Sequence, residues 1–158
     1  MGQRRSRAAV AALAADPAAA LLVMGFGGGL DDRGDVGDAV VAETLQGPAG
    51  ERVACAGAEW LASALADGGM SVRRGVVASV ARLAMGETRT RLRESGALAV
   101  DMESVWLAAA ARGRPFAVVR IISDTPSREL TRPLATVAGV ARASAALRLA
   151  AGCVRRWR

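Results

Sequence analysis

Hydrophobic positions along the chain fall into two recurring patterns. Ala-, Leu- and Arg-rich stretches have helical spacing, and short β-branched runs are closed by Gly, Asp or Pro. Their alternation predicts an α/β fold. Residues 6–15 form the first helical stretch, stopped at Asp16-Pro17, and residues 20–26 (ALLVMGF) then predict a buried strand ending in glycines. Further strands are predicted over 38–45, 70–80 with a bend at Gly75, 97–102 and 116–122. Helices are predicted over 58–66, closed by Gly68-Gly69, over 87–94, ended by Gly96, and over 103–111. The strand, helix and strand across 97–122 read as a βαβ unit with a right-handed crossover, which would make the ends of the two strands neighbours in the sheet. A polar loop over 123–133 leads into one long helix reaching Trp157, with Arg148, Arg155, Arg156 and Arg158 towards its C-terminal end, where cations suit the helix dipole. Strands this apolar need cover on both faces of the sheet.

A length of 158 residues, 52% of them hydrophobic, predicts a single domain over 1–158 with a substantial core. Twenty-one bases against fifteen acids leave a net charge of +6, yet every base is Arg and they are spread along the chain. Dispersed charge of this kind argues against a nucleic-acid partner, and an aromatic content of 3% with no Tyr leaves no platform for stacking bases. The sequence contains no His. That excludes Ser-His-Asp triads, Cys-His pairs and imidazole ligands, and no metal site is expected. Cys55 and Cys153 lack a C-x-x-C partner and read as small apolar residues of a reducing compartment. No apolar run reaches membrane-spanning length, so the chain reads as cytoplasmic. Any chemistry falls to carboxylates, hydroxyls, Arg and backbone amides.

In open α/β sheets ligands bind beyond the carboxyl ends of strands, which singles out three places. The first is Gly25-Phe26-Gly27-Gly28-Gly29-Leu30, where consecutive glycines can turn amides inward to cradle a phosphate or another nucleophile, centred on Gly27 and Gly28. It is not the dinucleotide G-x-G-x-x-G, because Leu30 holds the last position. The second is Asp101-Met102-Glu103, where a strand gives way to a helix; a lone carboxylate there is ordinarily a cap. The third is Ser123-Asp124, with Arg120 inside the strand before it. Arg120 is expected to reach a carboxylate, since an unpaired charge in an apolar strand is costly. Two acids on adjacent strand ends can divide labour, one binding sugar hydroxyls while the other protonates a leaving group. That arrangement suits glycosidic cleavage.

The stretch Ala99-Val100-Asp101-Met102-Glu103-Ser104 and then Pro115-Phe116-Ala117-Val118-Val119-Arg120-Ile121-Ile122-Ser123-Asp124 resembles the nucleoside phosphorylase/nucleosidase superfamily. That superfamily includes purine nucleoside phosphorylases and methylthioadenosine/S-adenosylhomocysteine nucleosidases. The segments Gly25 to Leu30 and Gly37-Asp38-Ala39-Val40-Val41-Ala42 are similar to its G-x-A-G-G-L and G-D-h-V-V-A motifs, with h apolar. The D-M-E-S form and the Asp124-Thr125-Pro126 continuation resemble the hopanoid-associated branch, which implies an adenosylated hopanoid as substrate.

The resemblance implies a three-layer α/β/α sandwich around a mixed central sheet, a homo-oligomer, and a small-molecule nucleoside as partner. No cofactor is implied, with inorganic phosphate as co-substrate if the enzyme is a phosphorylase. By resemblance Asp124 protonates the purine, Glu103 holds the ribose hydroxyls and Met102 packs under the sugar. Gly27 and Gly28 lie beside the incoming phosphate or water, with Ser123 binding substrate and Arg120 and Asp101 in support. Two departures stand out. Relatives have strands and a helix ahead of the glycine segment, and the expectation is that these are missing, exposing a sheet edge. Phe26 holds a position where some nucleosidases carry a hydroxyl, and no aromatic to stack on the purine is evident over 77–85. The alternative to an enzyme is a noncatalytic nucleoside-binding or interaction protein that keeps the fold.

Overall fold

The computed structural model describes residues 3–16, 19–127 and 133–155. Pro17, the 128–132 part of the predicted polar loop, and Arg156, Trp157 and Arg158 lie outside the described residues. Helix α1 is Gln3–Ala15, α2 Ala58–Asp67, α3 Glu87–Glu94, α4 Ser104–Leu107 and α5 Pro133–Cys153. The strands are β1 Leu21–Gly29, β2 Ala39–Gln46, β3 Arg52–Ala54, β4 Val72–Ser79, β5 Ala97–Asp101 and β6 Phe116–Asp124. The helix predicted over 103–111 is shorter than expected: α4 gives way to a 3-10 turn at Ala108–Ala110. Strand β3, three residues long, has no counterpart in the sequence reading.

The strands run β3-β2-β4-β5-β1-β6, and a further pairing of β2 with β6 joins the two sides. Ala39, Val40 and Val41 pair with Ile121, Arg120 and Val119, closing β2, β4, β5, β1 and β6 into a ring instead of the open sheet expected. Strand β1 pairs with β6 from Leu21 to Gly28 but with β5 only at Gly28 and Gly29.

The predicted βαβ unit is not formed. Strand β5 is parallel to β4, β4 is parallel to β2, and β2 is antiparallel to β6, so β5 and β6 run in opposite directions with β1 between them. Glycines explain the insertion. A side chain at Gly27 would stand 3.1 Å from the Val100 carbonyl of β5 and 3.2 Å from Arg120 Cβ of β6, a tight fit that favours a bare backbone between the two strands.

Both faces are covered, which gives the three-layer α/β/α arrangement. On one face Ala39, Val41, Ala117, Val119 and Ile121 pack against Leu61 and Leu65 of α2 and Ala143 and Ala150 of α5. Leu61 and Leu65, one helical turn apart, are both fully buried, each worth about 1.5–3 kcal/mol of burial. On the other face Val40, Ala42, Val77, Ala99, Phe116, Val118 and Ile122 form one cluster with Ala111, and Ala108 packs against it. Helix α1 lies over α4 and the 3-10 turn. Arg114 fastens it there, donating to the carbonyls of Leu13 at 2.9 Å and Asp16 at 2.7 Å, groups that a helix end leaves without internal partners. A third cluster joins Leu30, Ala78, Ala97 and Val100 to Ala84 and to Leu92 of α3.

Candidate active site

The C-terminal ends of β1, β5 and β6 converge on a cavity of about 430 Å³. Asp101, Met102, Glu103, Arg120, Ser123, Asp124, Gly27 and Gly28 all line it, so every site residue predicted from sequence is brought together. The two acidic ends are not on neighbouring strands; the glycine segment of β1 runs between them.

At the β5 end, Asp101 is 5% exposed and Arg120 1%. Arg120 comes from the middle of β6, and its Nε lies 2.7 Å from Asp101 Oδ2, the carboxylate its burial demanded. Its Nη2 donates to Ser104 Oγ at 2.8 Å and stands 3.7 Å from Glu103 Oε2. Asp101 Oδ2 also accepts from the Ser104 hydroxyl, and Oδ1 accepts from Ser79 Oγ at 2.6 Å. Asp101 Oδ1 further accepts from the backbone N–H groups of Glu103 at 3.1 Å and Ser104 at 3.3 Å. Asp101 therefore caps α4. Glu103 occupies the N-cap position but makes no side-chain cap bond, so the ordinary structural role of a carboxylate at that place is already filled by its neighbour. The Glu103 side chain is 19% exposed and faces the cavity with Met102.

At the β6 end, Asp124 is 6% exposed. Its Oδ1 accepts from Ser123 Oγ at 2.8 Å, and its Oδ2 meets Arg89 Nη2 at 2.5 Å. The Ser123 hydroxyl also lies 3.3 Å from the Gly27 carbonyl, so its one proton is shared between a strand carbonyl and the carboxylate.

The glycine segment corrects an expectation. Gly25 to Gly29 continue strand β1, with an irregularity in the pairing between Gly27 and Gly28, rather than forming a loop that turns amides inward. None of Gly25, Gly27, Gly28 and Gly29 has a positive φ. Their small size is used for close approach. A Cβ at Gly25 would collide with Arg120 Nη1, and one at Gly28 with Arg89 Nη2, so the two guanidinium groups lie directly over the strand.

Sequence reasoning missed Arg89. It sits in α3 (ETRTRLRE), which reads as polar on all sides and offers no reason to single out one of its three arginines. The available signal was spacing: Leu92, three residues on, packs into the core, which places Arg89 on the inward face. Arg89 is 6% exposed. Phe26, a departure from the motif in the sequence, is 42% exposed and lines the cavity together with Leu83 and Val80. An aromatic surface is thus present at the cavity, supplied by β1 rather than by residues 77–85. Ser79 and Ser104 were also passed over, because isolated serines carry no signal until the fold places them on Asp101.

A family model described as the phosphorylase superfamily matches residues 2–156. No curated protein matches the chain. Among solved structures, the chain is similar to the S-adenosylhomocysteine nucleosidase of Streptococcus pyogenes in complex with 5-methylthiotubericidin. The TM-score is 0.73 at 22% identity, over 94% of this chain and 74% of that one. It is similar to the methylthioadenosine/S-adenosylhomocysteine nucleosidase of Neisseria meningitidis in complex with methylthio-immucillin-A, with a TM-score of 0.79 at 20% identity over 98% and 77%. It is also similar to the futalosine hydrolase of Helicobacter pylori, with a TM-score of 0.81 at 20% identity over 97% and 75%. Among the described residues no helix is long and apolar enough to cross a membrane. With a family model spanning nearly the whole sequence, and a mixed sheet whose strand ends gather the carboxylates its motifs required, the chain belongs to the phosphorylase superfamily.

Proposed function

We propose that the chain cleaves the N-glycosidic bond of a purine nucleoside or an adenosylated metabolite. The supporting observation is that two buried strand-end acids, Asp101 and Asp124, and the cavity-facing Glu103 meet in one cavity across Gly27 and Gly28. Asp124 gives a proton to the imidazole nitrogen of the purine, and the C1′–N bonding pair leaves with the base. A water or phosphate oxygen beside Gly27 and Gly28 donates a lone pair to C1′; an attacking water releases its surplus proton to solvent, from which Asp124 is reprotonated, whereas phosphate dianion has none to release. Proton transfer to the leaving group contributes about 10²–10⁴-fold. Glu103 accepts from the ribose hydroxyls, and its negative charge favours the electron-poor sugar of an oxocarbenium-like transition state. Met102 packs under the sugar and Phe26 offers an apolar face to the base. Arg120 and Asp101 hold Glu103 at the cavity wall, and Ser123 orients Asp124. No resident cofactor is needed in this scheme, and phosphate enters only as a co-substrate. The molecule acts in the cytoplasm as a homo-oligomer, in keeping with the resemblance of its motifs.

Release of free purine from adenosine, methylthioadenosine and an adenosyl-hopanoid, each with and without phosphate, tests the reading. Turnover that requires phosphate identifies a phosphorylase, and turnover without it a hydrolase. A preference for the adenosyl-hopanoid supports a place in hopanoid side-chain synthesis. Binding of these nucleosides without release of base sinks the enzymatic reading and leaves a nucleoside-binding protein.

A further inference from the structure

We infer that Arg89 is the positioning residue for Asp124, an inference that rests on the reading of Asp124 as the proton donor. A carboxyl group at the end of a strand can rotate, and a proton donor misplaced by an ångström loses much of its effect. Here Asp124 is gripped from both sides. Ser123 Oγ, from the adjacent residue, holds Oδ1, and Arg89 Nη2, from a separate element, holds Oδ2. The second contact ties the carboxyl to a separate element, α3, that also lines the cavity. Gly28 makes that contact possible, because a Cβ there would occupy the place of Arg89 Nη2.

The pair also has an electrostatic consequence. As the proton passes from Asp124 to the ring nitrogen of the base, negative charge returns to the carboxylate at the moment the glycosidic electron pair leaves with the base. Arg89 faces that developing charge in a site where both partners are more than nine-tenths buried, so the interaction strengthens towards the transition state. Its action runs through Asp124 and needs no contact with the sugar. Arg120 serves the other acidic end of the cavity, where it is engaged with Asp101 and Ser104.

The experiment is a double-mutant cycle on the full chain, comparing wild type, Arg89→Ala, Asp124→Asn and the double variant. Purine release and calorimetric binding of free adenine are both measured. Arg89→Ala is expected to lower kcat about 100-fold while KM moves less than about threefold. Arg89→Lys or millimolar guanidinium should restore part of the loss, and guanidinium should do nothing for Asp124→Asn. In the Asp124→Asn background, Arg89→Ala should cost nothing further. Arg89→Gln, which keeps a long polar side chain but not the charge, should reproduce the loss of kcat and covers the case in which Arg89→Ala does not fold. Additive losses, a rise in KM at unchanged kcat, or full kcat in Arg89→Gln overturn the inference. A wild type that releases no purine refutes the enzymatic reading, and adenine binding then decides. Weakening by Arg89→Ala in the wild-type background alone supports the coupling, whereas equal affinity in all four proteins, or no binding, overturns it.

Discussion

Two buried arginines, Arg120 and Arg89, each meet a strand-end aspartate at the same cavity, yet they are held in different ways. Arg120 issues from the middle of β6 and lies in a network with Asp101, Ser104 and Glu103. Asp101 is in turn fixed by Ser79 and by two backbone N–H groups of the α4 cap. Arg89 reaches in from α3, a helix of eight residues whose neighbour Leu92 packs into the small third cluster. The first pair is part of the framework, and the second joins two elements across the cavity. A buried ion pair can thus serve as scaffold or as working part, and what its carboxylate is fixed to tells which: Asp101 is tied into the α4 cap, whereas Asp124 faces the cavity between Ser123 and Arg89.

The comparison is broken most directly at Arg120. Arg120→Met removes the cation and leaves Asp101 as an uncompensated buried charge, which is expected to cost about 3–5 kcal/mol. Urea unfolding should show this as a lower midpoint with an unchanged m-value. Since Asp101 also caps α4, the loss should extend to Glu103 and to turnover. An Arg120→Met protein as stable as wild type would mean that the network is not a scaffold, and the contrast with Arg89 would fall.

Glu103→Gln sharpens the same contrast with a smaller effect. Glu103 Oε2 lies 3.7 Å from Arg120 Nη2, against 2.7 Å for Asp101, so the outer contact is the weaker. Losing the charge there should alter stability by less than about 1 kcal/mol, in the range of partly exposed pairs. Activity should respond far more, with kcat/KM down about 10–100-fold through both sugar binding and kcat. Equal kcat/KM in the variant removes Glu103 from the site.

How much of this was legible in the sequence depends on the range of the interactions involved. Helix α3 has the bounds its flanking Gly86 and Gly96 set, because helix ends are local events. Asp101, Glu103, Ser123 and Asp124 were found because strand ends are local too, and each stands where an apolar run stops. Ring closure through Ala39–Val41 and Ile121–Val119 was not legible, since no local signal encodes which strands meet. The glycines misled for a physical reason. A run of glycines ordinarily ends a strand, but here it lets β1 continue beneath two guanidinium groups that belong to distant parts of the chain. Arg89 was invisible for the matching reason: its partner lies 35 residues away, and its helix is polar on every other face.

Cys55 extends the comparison to a partly buried ionisable group perturbed by desolvation, and at neutral pH its effect on stability vanishes. Desolvation pushes its thiol from 9.0 up to about 11. The sign follows from linkage. Below the unfolded value both states keep the proton, and stability is insensitive to this group. As pH rises from about 9 to about 11 the unfolded chain ionises first, so the folded state loses ground over that window. The thiolate is the reactive form, so native Cys55 near pH 9 should be alkylated about 50-fold more slowly than the urea-unfolded chain. Iodoacetamide labelling in a Cys153→Ala background, followed by mass spectrometry, reads this directly. Equal rates for native and unfolded protein would show that burial does not suppress ionisation here. Slow labelling near pH 9 that climbs towards the unfolded rate as pH passes about 11 would identify desolvation, rather than steric shielding, as what holds the thiol back.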